Sequence, residues 1–356
     1  MQKRRVVVAM SGGVDSSVAA ALLNDRGYEV IGITMCFNIS EYKRKKPGCC
    51  SVASIDDARR VAYKLGIRHY VLNMQKLLEK LVIKDFCSQY LLGRTPNPCI
   101  ICNQYLKFGE LLRKTDVLGA KFLATGHYAR ISKSKSVFWL YKAKDFRKDQ
   151  SYFLYRLSQK QLSRVFFPLG QYSKDEVRKL ARNFSLPVAQ KAASQEICFL
   201  PQDNYREFLR KRLKQNIIPG EILDQGGNPV GRHKGIAYYT IGQREGIGIA
   251  KGYPVYITKI NHKKNTITIG RREDVFFGEF MVKDPYFTYK PVKNKIVLKV
   301  KIRYNHKESE ARLIPSGNKI RVEFKKPQFA VTPGQAAVFY DKDKIIGGGT
   351  IDKVLG

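Results

Sequence analysis

"AMSGGVDSS", residues 9–17, decides the fold through what stands on either side of it. Before it, residues 6–10 form an unbroken apolar run suited to a buried strand. After it, residues 16–23 are rich in alanine and leucine, and Gly27 closes the helix they predict. Between a strand and a helix, a glycine pair flanked by serines lies where an open parallel sheet forms its ligand crevice, facing the first N–H groups of the helix. Ser11, Gly12, Gly13, Ser16 and Ser17 therefore predict a phosphate cradle. The stretch lacks both the lysine of G-x-x-x-x-G-K-[ST] and the spacing of G-x-G-x-x-G. Asp15, carrying the same sign of charge as phosphate, is expected to hold Mg²⁺ rather than touch phosphate directly.

Outward from this loop the alternation continues. Residues 29–35 read as a strand, 55–65 as a helix, 69–73 as a strand, 76–92 as a long helix and 122–125 as a strand, with a further helix after Cys102. Strands alternating with helices imply a doubly wound parallel sheet, so the fold class is α/β. Residues 136–143 suggest a hairpin, and SKDEVRKLARNFSLP opens with an N-cap serine. Beyond about Pro201 the texture changes to short β segments and glycine turns, followed after Asp284-Pro285 by KIVLKVKIRY. There Leu298, Val300 and Ile302 alternate with Lys299, Lys301 and Arg303, as in a strand with one basic face. The expected domains are 1–203 (parallel-sheet catalytic domain), 204–275 (small, mixed α+β) and 276–356 (basic β-barrel).

The chain has 356 residues, with 65 Lys and Arg against 30 Asp and Glu and a net charge of +35, which calls for a polyanionic partner such as nucleic acid. Residues 283–326 alone hold 13 Lys and Arg against 4 Asp and Glu. The apolar run at the start is too short for a signal-peptide core, and no run matches a membrane span, so a soluble, cytoplasmic protein is expected. Seven cysteines in a reducing compartment point to catalysis, metal binding or packing rather than a disulfide framework. Cys36, Cys87 and the adjacent Cys49 and Cys50 read as packing residues or small residues at a helix start.

SGGVDSS resembles the pyrophosphate loop of ATP pyrophosphatases. With RTPNPCIICNQYLKFG (94–109), ATGHYAR (124–130), KDQSYFL (148–154), SQEICFL (194–200), YTIGQREG (239–246) and TPGQAAVFY (332–340), the chain resembles the tRNA-specific 2-thiouridylases nearly end to end. The resemblance implies ATP-dependent 2-thiolation of a tRNA wobble uridine: adenylation of the C2 oxygen, then sulfur transfer, with AMP and pyrophosphate released. It assigns Ala9, Met10, Ser11, Gly12, Gly13, Val14, Asp15, Ser16, Met35 and Gly126 to ATP. To tRNA it assigns Asn97, Pro98, Cys99, His127, Asp149, Gln150, Ser151 and Gln335, and within the basic stretch Arg303 and Tyr304 offer tRNA a charge and a stacking ring. It makes Cys102 the nucleophile and Cys198 the persulfide carrier, the two being able to form a disulfide. A cysteine desulfurase or relay protein is implied as sulfur donor, and a monomer is expected.

Independently of the resemblance, Cys102 stands at the start of a predicted helix, where the dipole favours thiolate. Where the family usually reads D-x-x-C, this chain has Cys99-x-x-Cys102. Cys99, Cys102 and Cys198 could hold a 4Fe-4S cluster with one iron open to sulfur, or work as persulfide thiols without one; both readings stand at this point. Two rivals are an ATP pyrophosphatase acting on a small molecule and an RNA-binding protein without catalysis. The basic C-terminal region argues against the first and the intact loop and cysteines against the second.

Overall fold

The computed structural model describes residues 4–37, 52–192, 197–200 and 204–355. Cys49, Cys50 and the Ser194–Glu196 part of the SQEICFL motif lie outside them. The chain divides into two compact units. The first comprises Met1–Val82, Cys99–Asp203 and Asp343–Ile345; the second comprises Ile83–Pro98, Asn204–Lys342 and Ile346–Gly356.

In the first unit, β1 (Arg5–Ala9), β2 (Glu29–Cys36), β3 (Arg68–Asn73), β4 (Phe122–Thr125) and the short β7 (Val165–Phe166) form one parallel sheet in the order β3-β2-β1-β4-β7. Val6, Val7 and Val8 are fully buried, as a central strand covered on both faces requires. Helix α1 (Val14–Asp25) and α2 (Val52–Leu65) pack their alanines and valines into this core, Val18, Ala19, Ala20, Ala58 and Val61 being inaccessible. The chain leaves β1 for β2 on one side and returns to β4 on the other, so the switch point lies at the C-terminal ends of β1 and β4. Between β4 and β7 an antiparallel hairpin intervenes, β5 (Arg130–Ser134) and β6 (Val137–Tyr141).

Helix α3 spans Gln75–Leu78 and a π-helical turn covers Glu79–Ile83. The expected helix around the cysteines begins at Pro98 as α5 (Pro98–Ile101), runs as a ten-residue π-helical stretch over Cys102–Leu111 and ends as α6 (Leu112–Val117). Proline suits a first helical position because its missing N–H would have no partner there. Helices α7 (Gln159–Leu162) and α8 (Lys174–Asn183) each start with a capping box, at Ser158 and Ser173.

In the second unit, α4 (Lys84–Leu91) and α9 (Tyr205–Leu213) meet through aromatic rings: Tyr90 stacks on Tyr205 at 5.0 Å and Phe86 meets Phe208 edge-on at 6.0 Å. A four-stranded sheet in the order β10-β11-β8-β9 joins β8 (Gly220–Leu223), β9 (Pro229–His233), β10 (Tyr256–Asn261) and β11 (Thr266–Gly270) around Ile222, Ile257 and Ile267. The remaining strands are β12 (Phe276–Phe287), β13 (Ile296–Lys301), β14 (Ser309–Ser316), β15 (Lys319–Phe329), β16 (Ala336–Asp341) and β17 (Lys344–Leu355). They pair in the order β12-β15-β14-β13-β16-β17, and β12 pairs with β17 to close a barrel. Along β13 and just past it Leu298, Val300 and Ile302 face the barrel core while Lys299 is exposed, matching the alternation in the sequence. No helix among the described residues is long and apolar enough to cross a membrane.

Candidate functional site

The loop between β1 and α1 lies at the switch point. Gly12 has a φ of +68°, and a Cβ there would fall 2.0 Å from the Ser54 carbonyl oxygen, so only glycine fits. Gly13 caps α1 with extended backbone. The loop's hydroxyls bind it to itself: the Ser11 N–H donates to Ser16 Oγ at 3.1 Å, while the hydroxyls of Ser16 and Ser17 donate to the Gly13 carbonyl at 3.2 and 2.8 Å. Ser17 is therefore a buried structural hydroxyl, and Ser11 is exposed at the mouth of the loop. Gly126, just past β4, approaches so closely that a Cβ would lie 2.7 Å from the Ser16 nitrogen. Met10 is buried, Ala9 ends β1 and Met35 lies half-buried near the end of β2, all at this sheet edge.

Four neighbours of the loop were not foreseen from sequence. Lys174 Nζ lies 2.5 Å from Asp15 Oδ1, and the Tyr128 hydroxyl donates to the same oxygen at 2.8 Å. Burial, then the Asp15 charge and this hydrogen bond, push the Tyr128 phenol far above its ordinary pKa, so it stays a donor. Lys191 Nζ donates to the Gly12 carbonyl at 2.9 Å and to Asp57 Oδ2 at 2.5 Å. Burial tends to raise the pKa of Asp57, but Lys191 and Arg60 outweigh it and hold the carboxyl below its usual value. A glycine cradle at a helix N-terminus, with two ammonium groups beside it, suits the phosphates of ATP.

His127 follows Gly126 and is enclosed by the Phe108 and Phe167 rings at 5.8 and 6.0 Å. Its Nδ1 lies 2.7 Å from Thr125 Oγ1. Burial, helped by Lys107, pushes its pKa well below the ordinary value and keeps the ring neutral. Asp149 and Ser151 are buried. The Asp149 carboxylate accepts from the backbone N–H groups of Ala143 and Ser151 and from the Ser151 hydroxyl, at 3.0, 3.2 and 2.8 Å. Gln150 brackets Tyr128, accepting from its N–H at 3.0 Å and donating its own N–H to its carbonyl at 2.8 Å. Gln150 thus braces the chain just past Gly126 and His127, while Asp149 ties Ser151 to Ala143.

Cys99 is half-buried in α5, whereas Cys102 is 7% exposed at the start of the π-helical stretch. Because the helix begins at Pro98, the N-terminal dipole acts most directly on Cys99, and Cys102 sits a turn further in than its expected place at the helix start. Beside it, Asn103 is buried and donates to the Phe153 carbonyl at 3.1 Å. Cys198 is half-buried in the 197–200 turn. Cys99, Cys102 and Cys198 are thiols, as are Cys36 and Cys87. Among the described residues no group of three His, Cys, Asp or Glu side chains is placed to hold a metal ion, Cys99, Cys102 and Cys198 included.

In the second unit, Gln335 donates to the carbonyls of Thr95 and Pro96 at 2.9 and 3.4 Å, just ahead of Asn97 and Pro98. The Thr95 N–H donates to the Pro333 carbonyl at 2.9 Å. The turn around Gly334 thereby clasps residues 94–96, and Arg94 is anchored on Asp352 at 3.0 Å. Arg303, expected to contact RNA, is half-buried and donates to the Ile241 carbonyl at 3.0 Å and to the Thr332 hydroxyl. Tyr304 lies under Lys301, 5.4 Å from ring centroid to ammonium.

The fold and this loop define an α/β enzyme of the HUP-domain class. Residues 4–202 match the tRNA methyl transferase HUP domain, 206–271 its PRC-barrel domain and 277–351 the aminomethyltransferase beta-barrel domain. The tRNA-specific 2-thiouridylase of Pelotomaculum thermopropionicum is 49% identical, over 99% of this chain and 98% of that one. Those of Caldanaerobacter subterraneus and Clostridium perfringens are 47% and 46% identical, over 98% and 100% of both chains. The chain belongs to the tRNA-specific 2-thiouridylases, a family of sulfurtransferase enzymes.

Proposed function

We propose that this protein makes 2-thiouridine at the tRNA wobble position, using ATP and Mg²⁺. The observation that carries the reading is the glycine loop at the β1/β4 switch point, with Asp15, Lys174 and Lys191 around it and Gly126 pressed against Ser16. Residues 1–203 would act as the ATP-using catalytic domain, 204–275 as the small β-rich domain and 276–356 as the basic tRNA-binding barrel. Asp15 would hold the magnesium, which screens phosphate charge when bound. The loop N–H groups then receive the phosphates while Met35 and Gly126 line the nucleotide.

Attack of the uracil O2 on the α-phosphorus expels pyrophosphate. The outer sulfur of a Cys198 persulfide then bonds to C2, and AMP leaves. The Cys102 thiolate attacks the inner Cys198 sulfur, so the S–S bond breaks, a Cys102–Cys198 disulfide forms and the 2-thiouracil is released. A reductant thiol and a sulfur donor, such as a cysteine desulfurase or its relay protein, reset the pair. Neutral His127 and the 97–99 segment face the target base, and Asp149, Gln150, Ser151, Arg303, Tyr304 and Gln335 act in tRNA recognition chiefly by holding their loops. The protein works as a cytoplasmic monomer.

The test is single-turnover thiolation of unmodified tRNA with ATP, comparing chelated protein given a persulfide donor with anaerobically iron-reconstituted protein given sulfide. Activity of the chelated protein supports the thiol route; activity only with iron would replace it with a cluster route. Cys198→Ser is expected to abolish thiolation while tRNA binding persists, read by product nucleoside analysis and filter binding.

A further inference from the structure

Cys102 is buried, although a sulfur nucleophile has to be reached, and the residue after it is buried more deeply still. Asn103 is only 2% exposed; its Nδ2 donates to the Phe153 carbonyl at 3.1 Å, and its Oδ1 is enclosed without a hydrogen-bond partner. An enclosed polar atom left unpaired is unfavourable, and a leucine of similar size would avoid it. Two other bonds fasten the same π-helical stretch to the chain beyond Phe153. Arg156 donates to Gln104 Oε1 at 3.3 Å, and Gln161 Nε2 donates to the Phe108 carbonyl at 2.7 Å.

The Asn103 bond differs from these in where it leads. Phe153 ends a short 3-10 turn, Ser151–Phe153, and its N–H donates to the Gln150 carbonyl at 3.0 Å. Gln150 in turn holds Tyr128 from both sides, with its side chain on the Tyr128 N–H at 3.0 Å and its own N–H on the Tyr128 carbonyl at 2.8 Å. The Tyr128 hydroxyl donates to Asp15 at 2.8 Å. A continuous line of hydrogen bonds therefore runs from Asp15 through Tyr128, Gln150 and Phe153 to Asn103, all within the first compact unit, and ends one residue from Cys102. A nucleotide and its metal ion at Asp15 draw on the oxygen that Tyr128 uses. Tyr128 is buried and bonded along its main chain, so a shift there passes to Gln150 and the turn behind it. At the far end, the π-helical stretch has α geometry as a neighbouring arrangement, which gives the line a second state to select.

We propose that Asn103 is a positioning residue for Cys102, coupling nucleotide binding in the β1–α1 loop to the exposure of that thiol through the Phe153 carbonyl. Filling the loop presents Cys102, so the sulfur step follows activation of the uracil. The inference rests on the ATP reading above and goes beyond it, and no covalent bond changes.

The experiment is alkylation of the full chain by iodoacetamide at fixed pH, without tRNA or sulfur donor, with no nucleotide or with saturating MgATP. Peptide mass spectrometry reads the rate at Cys102, and calorimetry on the same samples reads MgATP affinity. The proteins are the parent, Asn103→Leu, Tyr128→Phe and the Tyr128→Phe/Asn103→Leu double variant. In the parent, MgATP is expected to raise the Cys102 rate about tenfold, a coupling of about 1.4 kcal/mol. Asn103→Leu should bind MgATP as the parent does and lose the response, its two rates agreeing within about twofold. Tyr128→Phe should lose the response as well, and the double variant should lose no more than either single one. If Asn103 only secures the helix, its removal changes the Cys102 rate equally with and without MgATP and the tenfold ratio survives, which overturns the proposal. A parent that binds MgATP with no change at Cys102 also overturns it, as does a full response in Tyr128→Phe. A parent that binds no MgATP overturns the ATP reading itself, a result distinct from these. Melting curves accompany each variant, and Asn103→Ala replaces Asn103→Leu should that variant unfold.

Discussion

Gly12 in the first unit and Gly334 in the second both hold left-handed backbone, at φ +68° and +94°, with main chain pressed against the place a side chain would take. Around Gly12 the partners are charged: Lys191 is on its carbonyl, and Asp15 and Lys174 are nearby. Around Gly334 the clasp on residues 94–96 is made by neutral hydrogen bonds, from Gln335 and Thr95. Ion pairs can be traded for a charged ligand, whereas short neutral bonds to backbone carbonyls have nothing to trade for. One turn is held by charged partners and the other by neutral ones.

The widest contrast should come from alanine at the two glycines. Gly12→Ala forces a Cβ to within 2.0 Å of the Ser54 oxygen and is expected to cost about 3 kcal/mol of stability and to abolish ATP binding. Gly334→Ala meets its nearest atom, the Thr95 nitrogen, at 2.9 Å and should cost about 2 kcal/mol while ATP binding survives. Denaturant melts with ATP titration decide this, and loss of ATP binding in Gly334→Ala would erase the distinction. Gln335→Ala, which removes the two bonds to Thr95 and Pro96, should cost about 1 kcal/mol and raise the KM for tRNA without moving that for ATP. The smallest effect is on pH dependence. Asp57 has a lowered folded pKa, so its contribution is complete above the unfolded value of about 4 and fades as pH falls through the folded one. Acid melts of Asp57→Asn should accordingly flatten below about pH 4, and a slope equal to the parent's would show that the Lys191 contact carries no linkage.

The parallel sheet was legible because its signals are local: the apolar run of β1, the glycine loop and the Ser173 cap each announce themselves within a few residues. The basic barrel was legible in the alternation of β13. The lysines on the loop were not, since Lys174 and Lys191 reach Asp15 and Gly12 across 159 and 179 residues. Lys174 did leave one trace, a positive charge immediately after an N-cap serine, against the helix dipole. The bonds of Arg303 to Ile241 and Thr332 were not legible either, since both partners lie far from it in sequence. The start of the cysteine helix was readable in Asn97-Pro98, but the proximity of Cys102 to a helix end drew attention one turn too far along.

The π-helical stretch beginning at Cys102 carries its own arithmetic. With hydrogen bonds reaching five residues back the turn is wider than in an α-helix, and Leu106 with Leu111 and Asn103 with Phe108 are buried pairs five apart. A helical wheel drawn at 3.6 residues per turn therefore misassigns this segment. Deleting a single residue between 103 and 111 would let the chain relax to α geometry and change the phase between Cys102 and α6. Among homologous chains, a one-residue gap here is a change of aim for the sulfur, even when every cysteine is retained.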